Sequence, residues 1–507
     1  MSAPWAAGCA ASLGLFGASL AFTSCSSNGA GAGDAGQGAR PDATLEGGAP
    51  CSTCPDGTAG PDDGSDAAAD APASPPADGS GSPSDAVADG APIGDPTGVT
   101  AVRATDFLGS IGVCVHIAQG VDSPASTATA IAYACIRNLR DDGRPTAVSG
   151  WIAVHEEAGT LVDMLPDPDI ATTIDMARAL RDAGALLSIE GPNEPNNFPV
   201  TYEGGTSSST SFVPVARFQR DLFAAVHAEP SLAGIAVFHS SESGGSEPDD
   251  VGLQFLTIPA DSGATMPAGT KYADYANTHN YVCGHSSQLV DNACWNASDP
   301  TLNGDWDGLY VEYGHTWNRG FAGYPGAQLT TLPRVTTETG WVTSGTGAIT
   351  PEQQGKIFLD LYLAAFKRGW SYTFVYMLRD DPVQGYWGLF DTGYAPKPSG
   401  TYLHNFTTIL GDSGGRAPGR LGYTIASEPA TVHDLLLQKS SGAFELVVWD
   451  EHPGGGSDAI TVDLGTPRSM VRIYDPTTGI SPTQTLGGTA SVPLTLTDHP
   501  VILEVGP

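Results

Sequence analysis

The chain has 507 residues, 22 of them Lys or Arg and 56 Asp or Glu, for a net charge of -34, and 40% are hydrophobic. That is room for one large domain and a smaller one, with a real core. So acidic a chain repels nucleic acid and other anionic polymers, whereas a neutral polysaccharide meets no such barrier.

An apolar segment from Ala10 to Phe22 is too short to span a bilayer and sits where a secretion signal belongs. It runs into Thr23-Ser24-Cys25-Ser26, which resembles the end of a bacterial lipoprotein signal, with Cys25 as the lipidation candidate and a membrane tether as the consequence. Met1 to Ala7 carries no Lys or Arg, so ordinary secretion, with Cys25 a small apolar residue, is the alternative. Either way residues 1–25 read as a signal peptide and the expected location is extracellular or at the cell surface. Residues 26–98 are mostly Gly, Ala, Ser, Pro and Asp, and such a stretch buries too little apolar surface to offset its ordering entropy. They are expected to form a disordered linker.

After Pro96, strand-like apolar runs alternate with amphipathic stretches, the pattern of a parallel sheet with helices outside it. The expected strands are Ser110 to His116, Tyr133 to Asn138, either Trp151 to Val154 or Gly159 to Met164, Leu186 to Gly191, Gly234 to His239, Tyr275 to Tyr281, Arg334 to Glu338 and Trp370 to Met377. Helices are expected over Ala171 to Ala183, Phe212 to Ala228 and Glu352 to Arg368, the last with Pro351 at its first position and Thr350 as cap. Eight strands in about 300 residues is the size of an α/β (β/α)8 TIM barrel, here residues 99–414. From about Arg416 the helical period stops, and His433 to Lys439 and Ala443 to Asp450 flank Ser440-Ser441-Gly442 as a hairpin. Residues 415–507 are expected to form an all-β sandwich, a structural appendage in which Trp449, Tyr423 and Tyr474 serve the core.

Two segments carry the chemistry. Glu194 lies in Gly191-Pro192-Asn193-Glu194-Pro195-Asn196, after the fourth strand, where two prolines forbid continuation as helix or central strand. Glu338 ends Arg334-Val335-Thr336-Thr337, and Thr339-Gly340-Trp341 turns the chain after it. In a barrel the carboxyl ends of the strands form the mouth, and strands four and seven face each other across it. His116, Arg137 and His279-Asn280-Tyr281 stand at other strand ends, and Trp341, Trp387 and Tyr386 are candidates for stacking on sugar rings.

On Asn193-Glu194-Pro195, Glu338, Arg137, His279 and Tyr281, the chain resembles the retaining glycoside hydrolases built on (β/α)8 barrels, the clan of families five, thirty and thirty-nine. At strand eight it has Val375-Tyr376-Met377 where that clan carries a tryptophan, and Trp387 follows in the next loop. The resemblance implies Glu338 as nucleophile, Glu194 as acid and base, Arg137 holding Glu338 charged, Asn193 on a sugar 2-hydroxyl, His279 and Tyr281 orienting, and His116 at the innermost subsite. It implies hydrolysis of a neutral β-linked glycan by a monomer without cofactor or metal.

A non-catalytic polysaccharide-binding barrel is the alternative, but it would not need both glutamates. Metal-dependent hydrolysis lacks an H-E-x-x-H or H-x-H pair among His116, His239, His279 and His315. Asp380-Asp381, Asp391 and Asp305 with Asp307 lack the spacing of a calcium loop. For an exported chain, Cys283 with Cys294 and Cys114 with Cys135 are disulfide candidates, while Cys51 and Cys54 have no further metal ligand nearby.

Overall fold

Strands buried on both faces need cover on both faces, and a ring of them closed by helices supplies it. In the computed structural model, which describes residues 98–195, 198–207, 213–241, 270–282, 289–299, 332–345 and 347–506, this is how the central part of the chain is built. Its strands are β1 (Ile111–Cys114), β2 (Asn138–Asp141), β3 (Leu161–Met164), β4 (Leu186–Ile189), β5 (Ala236–Val237), β6 (Ala276–Thr278), β7 (Arg334–Thr339) and β8 (Trp370–Val375). All pair in parallel, in the order β6-β7-β8-β1-β2-β3-β4-β5. A parallel bridge between Phe238 and Tyr275, beside β5 and β6, closes the ring. The signal segment with Cys25, the linker up to residue 97, Cys51, Cys54, Cys283, Asp305, Asp307 and His315 lie outside the described residues.

The helices α1 (Pro124–Ala134), α2 (Val148–Ala158), α3 (Ile170–Asp182), α4 (Val213–Ala228), α5 (Pro351–Lys367) and α6 (Pro398–Leu410) surround the barrel. The expected cap of α5 is present as a full box: the Thr350 hydroxyl accepts from the Gln353 amide, and the Gln353 side chain accepts from that of Thr350.

The second strand differs from expectation, and the third takes the later of its two expected positions. Tyr133 and Ala134 belong to α1, whose alanine-rich run buries Ala128, Ile131 and Ala134, and Cys135 ends it at φ 51°. The second strand therefore starts at Asn138 and carries the polar run Asn138-Leu139-Arg140-Asp141, every residue buried. Trp151 to Val154 lies in α2, so the third strand is the alternative, Leu161–Met164.

The C-terminal part is a two-sheet sandwich. One sheet contains β9 (Val432–Gln438), β10 (Phe444–Asp450), β12 (Val471–Tyr474), β13 (Gln484–Leu486) and β15 (Val501–Val505); the other contains β11 (Asp458–Arg468) and β14 (Thr489–Leu496) with Thr424–Ile425. Alternation of buried and exposed residues along β11 is what one covered face requires. Near the start of the described chain, Val102–Arg103 pairs in parallel with β9. The seam with the barrel is packed by Trp295, stacked on His433 at 4.0 Å and covered by the Arg368 guanidinium at 3.9 Å, and by the fully buried Trp449.

Of the two expected disulfides, Cys114 with Cys135 is not formed, and Cys283, the expected partner of Cys294, lies outside the described residues. Cys114 is a buried thiol donating to the Thr337 carbonyl at 3.2 Å, and Cys135 turns instead toward the Ala132 carbonyl at 3.7 Å. Cys294 is also a free, buried thiol, inside the core between Ala293 and Ala297. Cys114 and Cys294 pack as small apolar groups, which is what a free cysteine does in a core.

Candidate active site

Glu194 reaches the mouth through a turn that only particular residues permit. At Gly191 a Cβ would lie 1.8 Å from the Gln219 side-chain oxygen and 2.6 Å from the Ser240 nitrogen, so the chain passes only without a side chain. Glu194 itself adopts φ 38°, a left-handed conformation unusual for a residue with a Cβ. Across the mouth Glu338 projects from β7. Both are nearly buried, at 7% and 9% exposure. A carboxylate oxygen of each and a ring nitrogen of His279 all lie within 4.8 Å of one another.

Arg140 organises the floor. Its Nη1 donates to Glu338 Oε1 at 2.7 Å, its Nε and Nη2 grip Glu190 at 2.6 and 3.0 Å, and Nη2 also reaches Asn193 Oδ1 at 2.7 Å. Burial opposes the charge, but Glu190 and Glu338 hold the guanidinium pKa well above its ordinary value. On the far side of Glu338, the Tyr281 hydroxyl donates to Oε2 at 2.7 Å. Burial, then the Glu338 charge, pushes the Tyr281 phenol up, so it stays a donor.

His279 is fully buried, with Nδ1 2.7 Å from Glu194 Oε1 and Nε2 3.1 Å from the Thr337 hydroxyl. That hydroxyl is also 3.0 Å from Asn277 Oδ1 and 3.1 Å from Glu190 Oε1. Beneath, Asp163 accepts from the Ser188 hydroxyl at 2.8 Å, and burial, then the Glu190 charge, raises its pKa well above the usual carboxylate range. Glu194, His279 and Glu338 have the donor atoms of a cation site, yet both ring nitrogens and both Glu338 oxygens already face protein partners.

The structure thus brings together Glu194, Glu338, Asn193, His279 and Tyr281. Arg137 is not among them: it precedes β2, half-buried, and Arg140 occupies the position facing Glu338. Trp341 is not a ring platform, because it is 1% exposed and donates its indole N–H to the Gly347 carbonyl at 2.8 Å. Trp387 does line the mouth, half-buried, edge-on to Tyr281 at 5.4 Å and to Tyr376 at 6.1 Å. His116 follows β1 with Nε2 3.4 Å from the Tyr376 hydroxyl, and burial lowers its pKa. Asp380, Asp381 and Asp391 are used by their own loops: Asp380 pairs with Lys397 at 2.9 Å, Asp381 accepts from the Val383 and Gln384 amides, and Asp391 from those of Gly393 and Ala395.

Arg140, Glu190 and Asp163 were not legible as site residues. The signal for Glu190 was present, since an acid ending a buried strand in Ser188-Ile189-Glu190 requires a cation.

No family model and no curated protein matches the chain. Among solved structures, it is similar to a GH30 endoxylanase from Clostridium papyrosolvens C71, with 13% identity, 81% of this chain and 98% of that one covered, and a TM-score of 0.45. A glucosidase from Croceicoccus marinus aligns with 10% identity over 82% and 97% of the two chains, TM-score 0.47. A β-1,3-glucanosyltransferase from Rhizomucor miehei aligns with 14% identity over 57% and 96%, TM-score 0.37.

Proposed function

We propose that the chain is a retaining glycoside hydrolase that cleaves β-glycosidic bonds of a neutral polysaccharide or oligosaccharide by double displacement. The observation that carries this reading is the approach of the Glu194 and Glu338 carboxyl oxygens to within 4.8 Å at the barrel mouth. Retention requires carboxyls about 5–5.5 Å apart, whereas inversion needs roughly 6.5–9.5 Å to admit a water.

Glu338 is the nucleophile in this reading. It needs its charge and one free trajectory, and Arg140 and Tyr281 stabilise the charge by charge-assisted hydrogen bonds. Glu338 attacks the anomeric carbon while Glu194 gives its proton to the departing oxygen, so the sugar–oxygen bond breaks as the sugar–carboxylate bond forms. Glu194, now ionised, takes a proton from water as that water displaces Glu338. His279 supports both states, since its Nδ1 either accepts from the carboxylic acid or donates to the carboxylate. Asn193, fixed by Arg140, has its amide N–H free to meet a sugar hydroxyl, and Trp387 offers an aromatic edge to the groove. The catalytic unit is residues 99–414, with 415–507 as its appendage and residues 1–98 serving export and, through Cys25, attachment.

The test is digestion of β-glucan, mannan, xylan and galactan by wild type and Glu194→Ala, with the anomeric configuration of the first product followed by NMR. Release of product with retained configuration, and its loss in the variant, is expected. An inverted product, or undiminished hydrolysis by the variant, would overturn the assignment.

A further inference from the structure

A polar residue at a strand end ordinarily faces water. Asp450, the last residue of β10, is fully buried instead, and neither carboxylate oxygen has a hydrogen bond of ordinary geometry from a described group; the Thr431 hydroxyl and His452 Nε2, the latter at 3.7 Å, are its polar neighbours. A buried carboxylate met so sparsely is costly, and a bound cation would offset that cost. Its oxygen, a nitrogen of His452 and an oxygen of Asp458 lie within 4.8 Å of one another.

The three side chains point together for local reasons. His452 Nε2 is 3.7 Å from Asp450 Oδ1 and 3.2 Å from Asp458 Oδ2, and the Thr431 hydroxyl donates to Asp458 at 3.0 Å. The imidazole lies over Gly456, where a Cβ would come within 3.1 Å of the ring. From the opposite side Asp291 Oδ1 stands 3.1 Å from Nδ1. Three carboxylates thus surround one imidazole, and even a protonated ring leaves the cluster with two negative charges in excess.

We propose that Asp450, His452 and Asp458 form a binding site for a divalent transition-metal ion, with Asp291 as the outer partner of the imidazole. An N,O,O donor set suits Zn2+, whereas Ca2+ and Mg2+ are served by oxygen alone. The ion takes Nε2, Nδ1–H donates to Asp291, and any proton on Nε2 leaves to solvent as the metal binds. A carboxylate behind the ring is the arrangement that fixes a ligating histidine's tautomer and orientation. Asp291 precedes Asn292, which meets His433 at 2.9 Å, and Cys294 and Trp295, whose amides donate to Glu451. The ion would therefore clamp the segment downstream of Tyr281 to the sandwich.

Untagged full-length chain, stripped with a chelator, is titrated with ZnCl2 by calorimetry beside Glu338→Gln, Asp450→Asn, His452→Gln and Asp291→Asn. One Zn2+ per chain is expected in wild type and Glu338→Gln, none in Asp450→Asn or His452→Gln, and binding weakened about 10–100-fold in Asp291→Asn. Zn2+ should raise the melting temperature of wild type but not of Asp450→Asn. No binding to wild type, unchanged binding in Asp450→Asn and His452→Gln, loss in Glu338→Gln, or saturation by Ca2+ in place of Zn2+ would each overturn the proposal. Circular dichroism reports whether the buried variants fold; if they do not, the half-exposed Asp291→Asn decides, unchanged affinity there being the overturning result.

Discussion

The barrel mouth and the seam with the sandwich both gather buried carboxylates, and they neutralise them by different means. At the mouth Arg140, a permanent cation, is shared between Glu190 and Glu338, while burial and the Glu190 charge raise the pKa of Asp163 below. At the seam no guanidinium among the described residues enters the group of Asp450, Asp458 and Asp291, and the cationic partner is His452, which carries charge only when protonated. A fixed cation keeps the geometry of a nucleophile constant across pH; a titratable one leaves the charge of its cluster open to protons or to metal.

The comparison breaks first at the mouth. Glu338→Gln keeps the shape but removes the proposed nucleophile, and kcat on any glycan that wild type cleaves should fall by at least about 10^4-fold with binding retained, read by single-turnover assays and calorimetry. Arg140→Met leaves Glu190 and Glu338 buried without their counter-ion, and urea unfolding should show a loss of about 3–5 kcal/mol. Unchanged stability there would mean that the guanidinium does not offset the burial of the two acids.

The seam gives the pH-dependent half. Glu451 is buried, accepts from the amides of Cys294 and Trp295, and burial pushes its pKa from 4.5 up to about 7. The folded protein therefore keeps a proton that the unfolded chain releases. This contribution to stability is complete below about pH 4.5 and is lost as pH rises through about 7, a fall of up to about 3 kcal/mol. Urea midpoints at pH 5 and 7.5 should show that slope in wild type and a flatter one in Glu451→Gln. The smallest effect belongs to Tyr281→Phe, which removes one hydrogen bond to a charged acceptor and should lower kcat/KM by about 10–100-fold, or about 1.5–3 kcal/mol, with little change in the unfolding midpoint.

Much of the mouth could be read along the chain because its groups stand at strand ends beside turn residues. Pro192 and Pro195 mark where β4 must stop, and Gly340 does the same after Glu338, so both glutamates announce themselves locally. His279 and Tyr281, within three residues of the end of β6, follow the same logic. Trp341 stands immediately after a strand-end acid, where a ring platform and a core residue look alike along the chain, and its indole is drawn into the core and tied to Gly347. Cys114, Cys135 and Cys294 carry no local sign of whether they bridge or pack; only the distances between elements decide that.

The sequence by itself determined that a parallel barrel would present Glu194 and Glu338 at one rim and that an all-β unit would follow, since periodicity and turn chemistry are local properties. Which arginine meets Glu338 was decided only in three dimensions. Arg137 and Arg140 differ by three positions, about 10 Å along an extended chain and on opposite faces of it, so the start of β2 selects between them. That start was set by where α1 stopped burying alanines against its neighbours, and the same tertiary packing drew Asp291 from the barrel to His452 of the sandwich, 161 positions away.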